Sequence, residues 1–169
     1  MKMQKKALLI GLFLLMGLPI LDSSPVQAGA TAAEFTSIET ITDPGQGKVW
    51  FESNMMYIRD AIFTASVEGD DLYGFLTGEG NFNIDMNTGN GVGWGTNIFD
   101  GYYRDMKVGF EGSSTCKIIQ FFGPSTSILG KFVSHGSQGF DGMLIKGTFV
   151  TVGADLILSG VILDPHGTI

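Results

Sequence analysis

Arg59 and Arg104 are the only arginines in this chain of 169 residues. Each falls on the more apolar side of an alternating stretch. In "YIRDAIFTASV", Tyr57, Arg59, Ala61, Phe63, Ala65 and Val67 share one face; in "YYRDMKVGF", Tyr102, Arg104, Met106, Val108 and Phe110 do so. A guanidinium rarely enters a protein interior unpaired. Two inward arginines could grip the carboxylate of an otherwise apolar ligand through charge-assisted, bidentate hydrogen bonds. Alternatively, each could pair with a neighbouring acid, Asp60 or Asp105, at a bulge that shifts the register. On the ligand reading Arg59 and Arg104 are the polar anchors, and Tyr57, Phe63, Trp94 and Tyr102 line the site. Trp50, Phe132 and Phe149 are further candidates for the lining, although aromatic residues fill small β-barrels by default.

Other reactive side chains stand without a chemical context. His135 lies at a strand end beside Gly136 and could act as a base near neutral pH. Ser134 and Ser137 lack the setting of an activated nucleophile, so a solvent-facing turn histidine is the expectation. His166 belongs to the terminal "DPHGTI", expected to fray. Cys116, the single cysteine, sits in the apolar run "CKIIQFF" and is expected to be buried and inert. The stretch "DMNTGNG", from Asp85 to Gly91, faintly resembles a calcium loop but lacks the later bidentate glutamate. A hairpin turn needs the same residue types, and the acidic "EGDD" from Glu68 to Asp71 reads as another turn. No catalytic residue, metal or cofactor is expected, and these features weigh against an enzyme without excluding one.

The elements that must position these residues are strands. From Gly47 onward no helical period appears, whereas several stretches alternate at period two. In "LYGFLTGEGNFNIDM", Leu72, Leu76, Phe82, Ile84 and Met86 take one face, with Gly74, Gly78 and Gly80 among them. Further strands are read in "VGWGTNIF", "CKIIQFF", "SILGKFVS", "GMLIKGTFVTV" and "DLILSGVIL", most joined by short Gly, Asn, Asp or Ser turns. Glycine within a strand costs stability unless the backbone must bend or approach another chain closely. Its repetition here suits a small sheet curling shut. The predicted fold is all-β: a single closed antiparallel up-and-down β-barrel of about eight strands over residues 47–164, preceded by a cleaved signal peptide. Residues 29–46 are expected to form a flexible segment and 165–169 a C-terminal tail.

Consecutive hairpins with patterns such as "GFDGMLIKGTF", Gly139 to Phe149, resemble the barrel shared by allene oxide cyclases and dirigent proteins. The resemblance extends over Val49 to Leu163. It implies an eight-stranded antiparallel barrel whose lumen holds a small apolar molecule, often in a homotrimer or dimer. No catalytic motif of either family matches residue by residue, so no functional residue is carried over, and a fold alone does not imply an activity.

Residues 1–28 have the layout of a secretory signal peptide: Lys2, Lys5 and Lys6, an apolar run from Ala7 to Ile20, then small residues, with Val26 and Ala28 placed for cleavage. The apolar run is shorter than the roughly 20 residues a membrane span requires. Removing Lys2, Lys5, Lys6 and Asp22 with the leader leaves seven basic and sixteen acidic residues, a net charge of −9. That balance argues against binding nucleic acid or anionic lipid by charge. The expectation is a secreted or periplasmic protein, free of the membrane after cleavage, that binds a small apolar or carboxylate-bearing ligand and can form a homo-oligomer. The alternatives are a structural or adhesive surface domain, a cyclase or isomerase, and an outer-membrane barrel, the last disfavoured by the polar face of Thr77, Glu79, Asn81, Asn83 and Asp85.

Overall fold

The structure, a computed structural model, describes residues 29–123 and 125–169. The expected leader lies outside the described residues. Among the described residues nine strands follow one another: β1 (Thr31–Asp43), β2 (Lys48–Glu52), β3 (Met55–Glu68), β4 (Leu72–Asp85), β5 (Gly91–Tyr103), β6 (Met106–Ile119), β7 (Ser127–Gln138), β8 (Leu144–Val152) and β9 (Asp155–Asp164). All pairings are antiparallel. The hydrogen-bonded order runs β1-β9-β8-β7-β6-β5-β4-β3-β2, and β1 also pairs with β3, so eight strands form a ring while β2 continues along the outer edge of β3.

The turns follow local chemistry. Asp85 caps the turn between β4 and β5, its Oδ1 accepting the backbone N–H of Asn87 at 2.8 Å and of Thr88 at 3.2 Å. Gly153, at φ 67°, opens the two-residue turn between β8 and β9, a conformation that strains any residue bearing a β-carbon. The turn anticipated at Phe140 and Asp141 is present, and Phe140 folds back fully buried beneath the end of the ring.

The alternation of β4 holds as expected: Leu72, Leu76 and Ile84 are buried while Thr77 and Glu79 are exposed. Met86 lies beyond the end of the strand and is exposed. Three expectations require correction. Residues 31–43, expected within a flexible segment, form β1. Its backbone is engaged by β9 along Thr31–Glu39 and by β3 along Ile38–Asp43. Next, β3 changes face at a bulge. Ile58 pairs with Phe82 and Ala61 with Gly80, so Arg59 and Asp60 together oppose Asn81. One extra residue reverses every side chain upstream. Ala61, Phe63, Ala65 and Val67 therefore point in, whereas Tyr57 and Arg59 point out and Met56 and Ile58 take their place inside. Finally, "YYRDMKVGF" is not one strand. Arg104 and Asp105 form a two-residue turn between β5 and β6, with Arg104 at φ 54°.

The interior is packed in two separate clusters. The larger includes Phe35, Leu72, Phe99, Phe110, Phe140 and Ile162; the smaller centres on Met56, Ile84 and Ile118. Phe99 and Phe110 stack with centroids 4.6 Å apart, and removing either ring costs about 3–5 kcal/mol.

The segment Pro165–Ile169, expected to fray, is tied down by Asp164, which is only 1% exposed. Its carboxylate accepts the N–H of His166 at 2.8 Å, the hydroxyl of Thr168 at 2.9 Å and the N–H of Ile169 at 3.0 Å, together with the N–H of Thr168. Burial alone would push this carboxyl up, but these donors outweigh it and hold it at about 2. A carboxyl held below its ordinary value of 3.8 contributes stability that is present above that pH and lost as the pH falls towards about 2. Asp164→Asn is therefore expected to lower the melting temperature at pH 6 and to flatten the acid limb of thermal unfolding. An unchanged acid limb in the variant would contradict this role.

Candidate functional site

Between the two packed clusters lies a cavity of ≈ 260 Å³. Leu76, Phe110, Phe132 and Leu158 border it from the larger cluster, and Phe82 and Ile128 from the smaller. That volume is near the lower end of the roughly 300–1,000 Å³ typical of small-molecule sites.

Glycines keep this space open. A β-carbon on Gly78 would stand 2.2 Å from the ring of Phe63, one on Gly93 2.6 Å from Phe82, and one on Gly130 2.3 Å from Phe149. Each ring occupies the space that a neighbouring side chain would need, so it lies along the wall instead of crossing the lumen. Such aromatic cover of strand glycines also replaces some of the packing that glycine lacks. In β6, Gly112 leaves room across the sheet for the Ser134 hydroxyl, which donates to Asn97 Oδ1 at 3.4 Å.

Among the described residues one buried ionisable group borders the cavity. Glu39, on β1, is 7% exposed and borders the cavity. It sits between Val67 of β3 and Leu156 of β9 in the two ladders that β1 makes. Among the described residues its carboxyl has no hydrogen-bond partner, and no Lys, Arg or His borders the cavity. Burial pushes the carboxyl up from 4.5 to about 7. The neighbouring inward hydroxyl, Ser37 Oγ, is buried and also without a partner among the described residues.

The anticipated site residues are distributed differently. Arg59 lies on the outer face, donating from Nη1 to the carbonyls of Ile58 and Phe82, both at 2.8 Å, and from Nη2 to Asn83 Oδ1 at 2.7 Å. Its guanidinium also stands over the rings of Trp50, Tyr57 and Trp94, at 5.4, 5.5 and 4.8 Å. These contacts hold the bulge together. Arg104 is exposed in its turn and donates to Asp71 at 3.0 Å. The structure therefore does not bring the two guanidinium groups together in the lumen. Of the alternative pairings, Asp60 bonds Lys48 instead of an arginine, and the acid that pairs with Arg104 is Asp71, outside the lumen. Phe63 lines the cavity. Trp94 contributes to the wall while its ring covers Arg59 outside. Tyr57 stacks on Trp50, and Tyr102 on Tyr73, both away from the lumen.

Cys116 is half-buried against the cavity; burial pushes its thiol up, partly offset by a backbone hydrogen bond from Gly93. His135 is exposed on the outer face of β7, opposite Glu111 and Leu144, within a strand and not in a turn. Among the described residues no three His, Cys, Asp or Glu side chains are grouped to hold a metal ion. Glu39 is the cavity residue that the sequence alone does not single out. Its signal is the alternation of Phe35, Ser37, Glu39 and Ile41, obscured because polar residues stand on both faces of β1.

The sign of the Glu39 effect follows from its raised value. Stability is fullest below pH 4.5 and is lost as the pH rises through about 7. At about 1.4 kcal/mol per pH unit, the interval corresponds to roughly 3 kcal/mol. Glu39→Gln is expected to stabilise the protein at pH 8 by roughly 2–3 kcal/mol in urea unfolding, with little change at pH 4. Parallel stability profiles for the two proteins would contradict a buried, unpaired carboxyl. The chain matches no protein-family profile and no curated protein sequence.

Proposed function

We propose that the eight-stranded ring is a small exported β-barrel whose lumen holds one small, uncharged and predominantly apolar molecule. In this reading the Glu39 carboxyl donates a hydrogen bond to an oxygen of that molecule. The observation that carries it is the apolar cavity interrupted, among the described residues, by a single buried carboxyl without a hydrogen-bond partner. A carboxylate-bearing ligand is disfavoured, because it would meet Glu39 and no bordering cation. The resemblance to allene oxide cyclase and dirigent barrels supports a ligand in the lumen.

The rival readings have less support. The cyclase or isomerase reading asks for an acid meeting an arginine in a deep pocket; Glu39 supplies the acid, but both arginines lie outside. A purely structural domain would be served by a filled interior. The exposed outer wall carries Glu79, Glu111, Lys117, Lys131 and Lys146, which favours water over lipid around the barrel. Export rests on the leader read in residues 1–28.

Ligand entry would remove the remaining water from Glu39 and penalise its charged form further. An uncharged ligand therefore binds together with a proton. With an environment-sensitive, uncharged naphthyl ketone fluorophore as probe, affinity is expected to be flat below pH 7 and to fall about tenfold per pH unit above it. In Glu39→Gln that dependence disappears. Affinity for this neutral probe that is independent of pH across 5–9, or that rises with pH, would contradict hydrogen-bond donation by the Glu39 carboxyl, and no binding at any pH would refute the proposal.

The lumen itself is tested at Gly78. A methyl group there forces the Phe63 ring into the cavity, so Gly78→Ala is expected to weaken the probe at least tenfold while the circular dichroism spectrum remains that of a folded β protein. Unchanged affinity would place the binding site elsewhere.

A further inference from the structure

β2 is bound along one edge only. It pairs with β3 from Lys48 opposite Arg59 to Glu52 opposite Met55, and its other edge has no strand partner among the described residues. All five residues are exposed, including Val49 at 52%, Trp50 at 42% and Phe51 at 60%. Val49 and Phe51 stand opposite Ile58 and Met56, on the face continuous with the interior, yet among the described residues both remain exposed. A bare apolar edge strand is a template for further pairing.

The backbone geometry specifies which groups are free. Ser53 and Asn54 form a two-residue turn, so the flanking pair Glu52 and Met55 is a hydrogen-bonded pair. By alternation, Lys48, Trp50 and Glu52 direct their backbone groups towards β3, and Val49 and Phe51 direct theirs to the free edge. The sequence of the strand, Lys-Val-Trp-Phe-Glu, is self-complementary about Trp50 in charge and size. In an antiparallel pairing centred there, Lys48 faces Glu52 of the second copy, and Val49 faces Phe51 of the second copy. The latter is the pair whose free N–H and C=O groups can be exchanged.

We propose that two copies of this chain join edge to edge through β2, antiparallel and two-fold symmetric about Trp50. The interface is isologous and closes after two subunits. It contains four backbone hydrogen bonds, two Val49–Phe51 contacts and two Lys48–Glu52 ion pairs. The stacked Tyr57 and Trp50 rings, with Arg59 over both, extend across the two-fold axis to the same group on the second copy. Lys48, which bonds Asp60 at 2.8 Å in the single chain, then lies between two carboxylates. A five-residue strand buries little surface, so the dimer is weak and concentration-dependent.

The test is sedimentation equilibrium of the full chain from micromolar to millimolar concentration. A reversible monomer–dimer equilibrium is expected. Lys48→Glu or Glu52→Lys alone should raise the dissociation constant at least tenfold, and the two exchanges together should restore it. Phe51→Pro removes an N–H facing the free edge without removing one from the β3 ladder and should abolish the dimer. In a Cys116→Ser background, Trp50→Cys should form a disulfide-linked dimer on oxidation. A chain that stays monomeric throughout, or a dimer indifferent to the single charge exchanges, overturns the proposal. The first of these outcomes would leave the edge to a different strand or to a surface.

Discussion

The ring depends on β1 being hydrogen-bonded on both sides. β3 and β9 would otherwise each present an unpaired edge. β1 joins them by pairing first with β9 and then with β3, with Ile38 and Glu39 taking part in both ladders. Closure alone removes the edges of a sheet, and it also encloses an interior. Glu39 therefore lies where the backbone is held from both directions, and its side chain is carried into the lumen by the same alternation that turns Phe35 and Ser37 inward. The one buried acid that borders the cavity among the described residues, and the closure of the wall, are consequences of the same few residues.

Enclosure does not by itself make a cavity, because small barrels are commonly filled by their own side chains. Here the filling is incomplete, since several large rings lie over glycines of adjacent strands instead of projecting across the space. This arrangement conserves apolar contact while leaving ≈ 260 Å³ unfilled. A buried carboxyl without a partner is a cost to the fold, and so is a buried hydroxyl such as Ser37 Oγ. Departures of this kind from local stability concentrate at functional sites. In the reading proposed above, the lumen combines vacant apolar volume with a carboxyl that has no partner among the described residues, and a ligand would satisfy both.

Most of the strands were legible in the chain because buried and exposed positions alternate cleanly, as in β4, and because short polar turns separate them. Three features were not, each for a definite reason. β1 carries Ser37 and Glu39 on its inward face and Thr36 and Thr40 on its outward face, so composition does not distinguish the two sides. The bulge at Arg59 and Asp60 changes the phase of the backbone without interrupting the alternation of residue types, so Arg59 reads as a companion of Phe63 although it points the opposite way. Arg104 occupies a positive φ, a conformation that its side chain gives no reason to expect. The glycines did announce curvature, but their pairing with individual rings is a property of strand register, which only the folded ladders define.

A lumen that holds an apolar guest must be hollow and dry. Crystals of the protein pressurised with xenon test it most directly, since enclosed apolar cavities take up the gas. A xenon atom bounded by Phe63, Phe132, Phe149 and Leu158 is expected. A lumen without xenon and occupied by displaced side chains would contradict it.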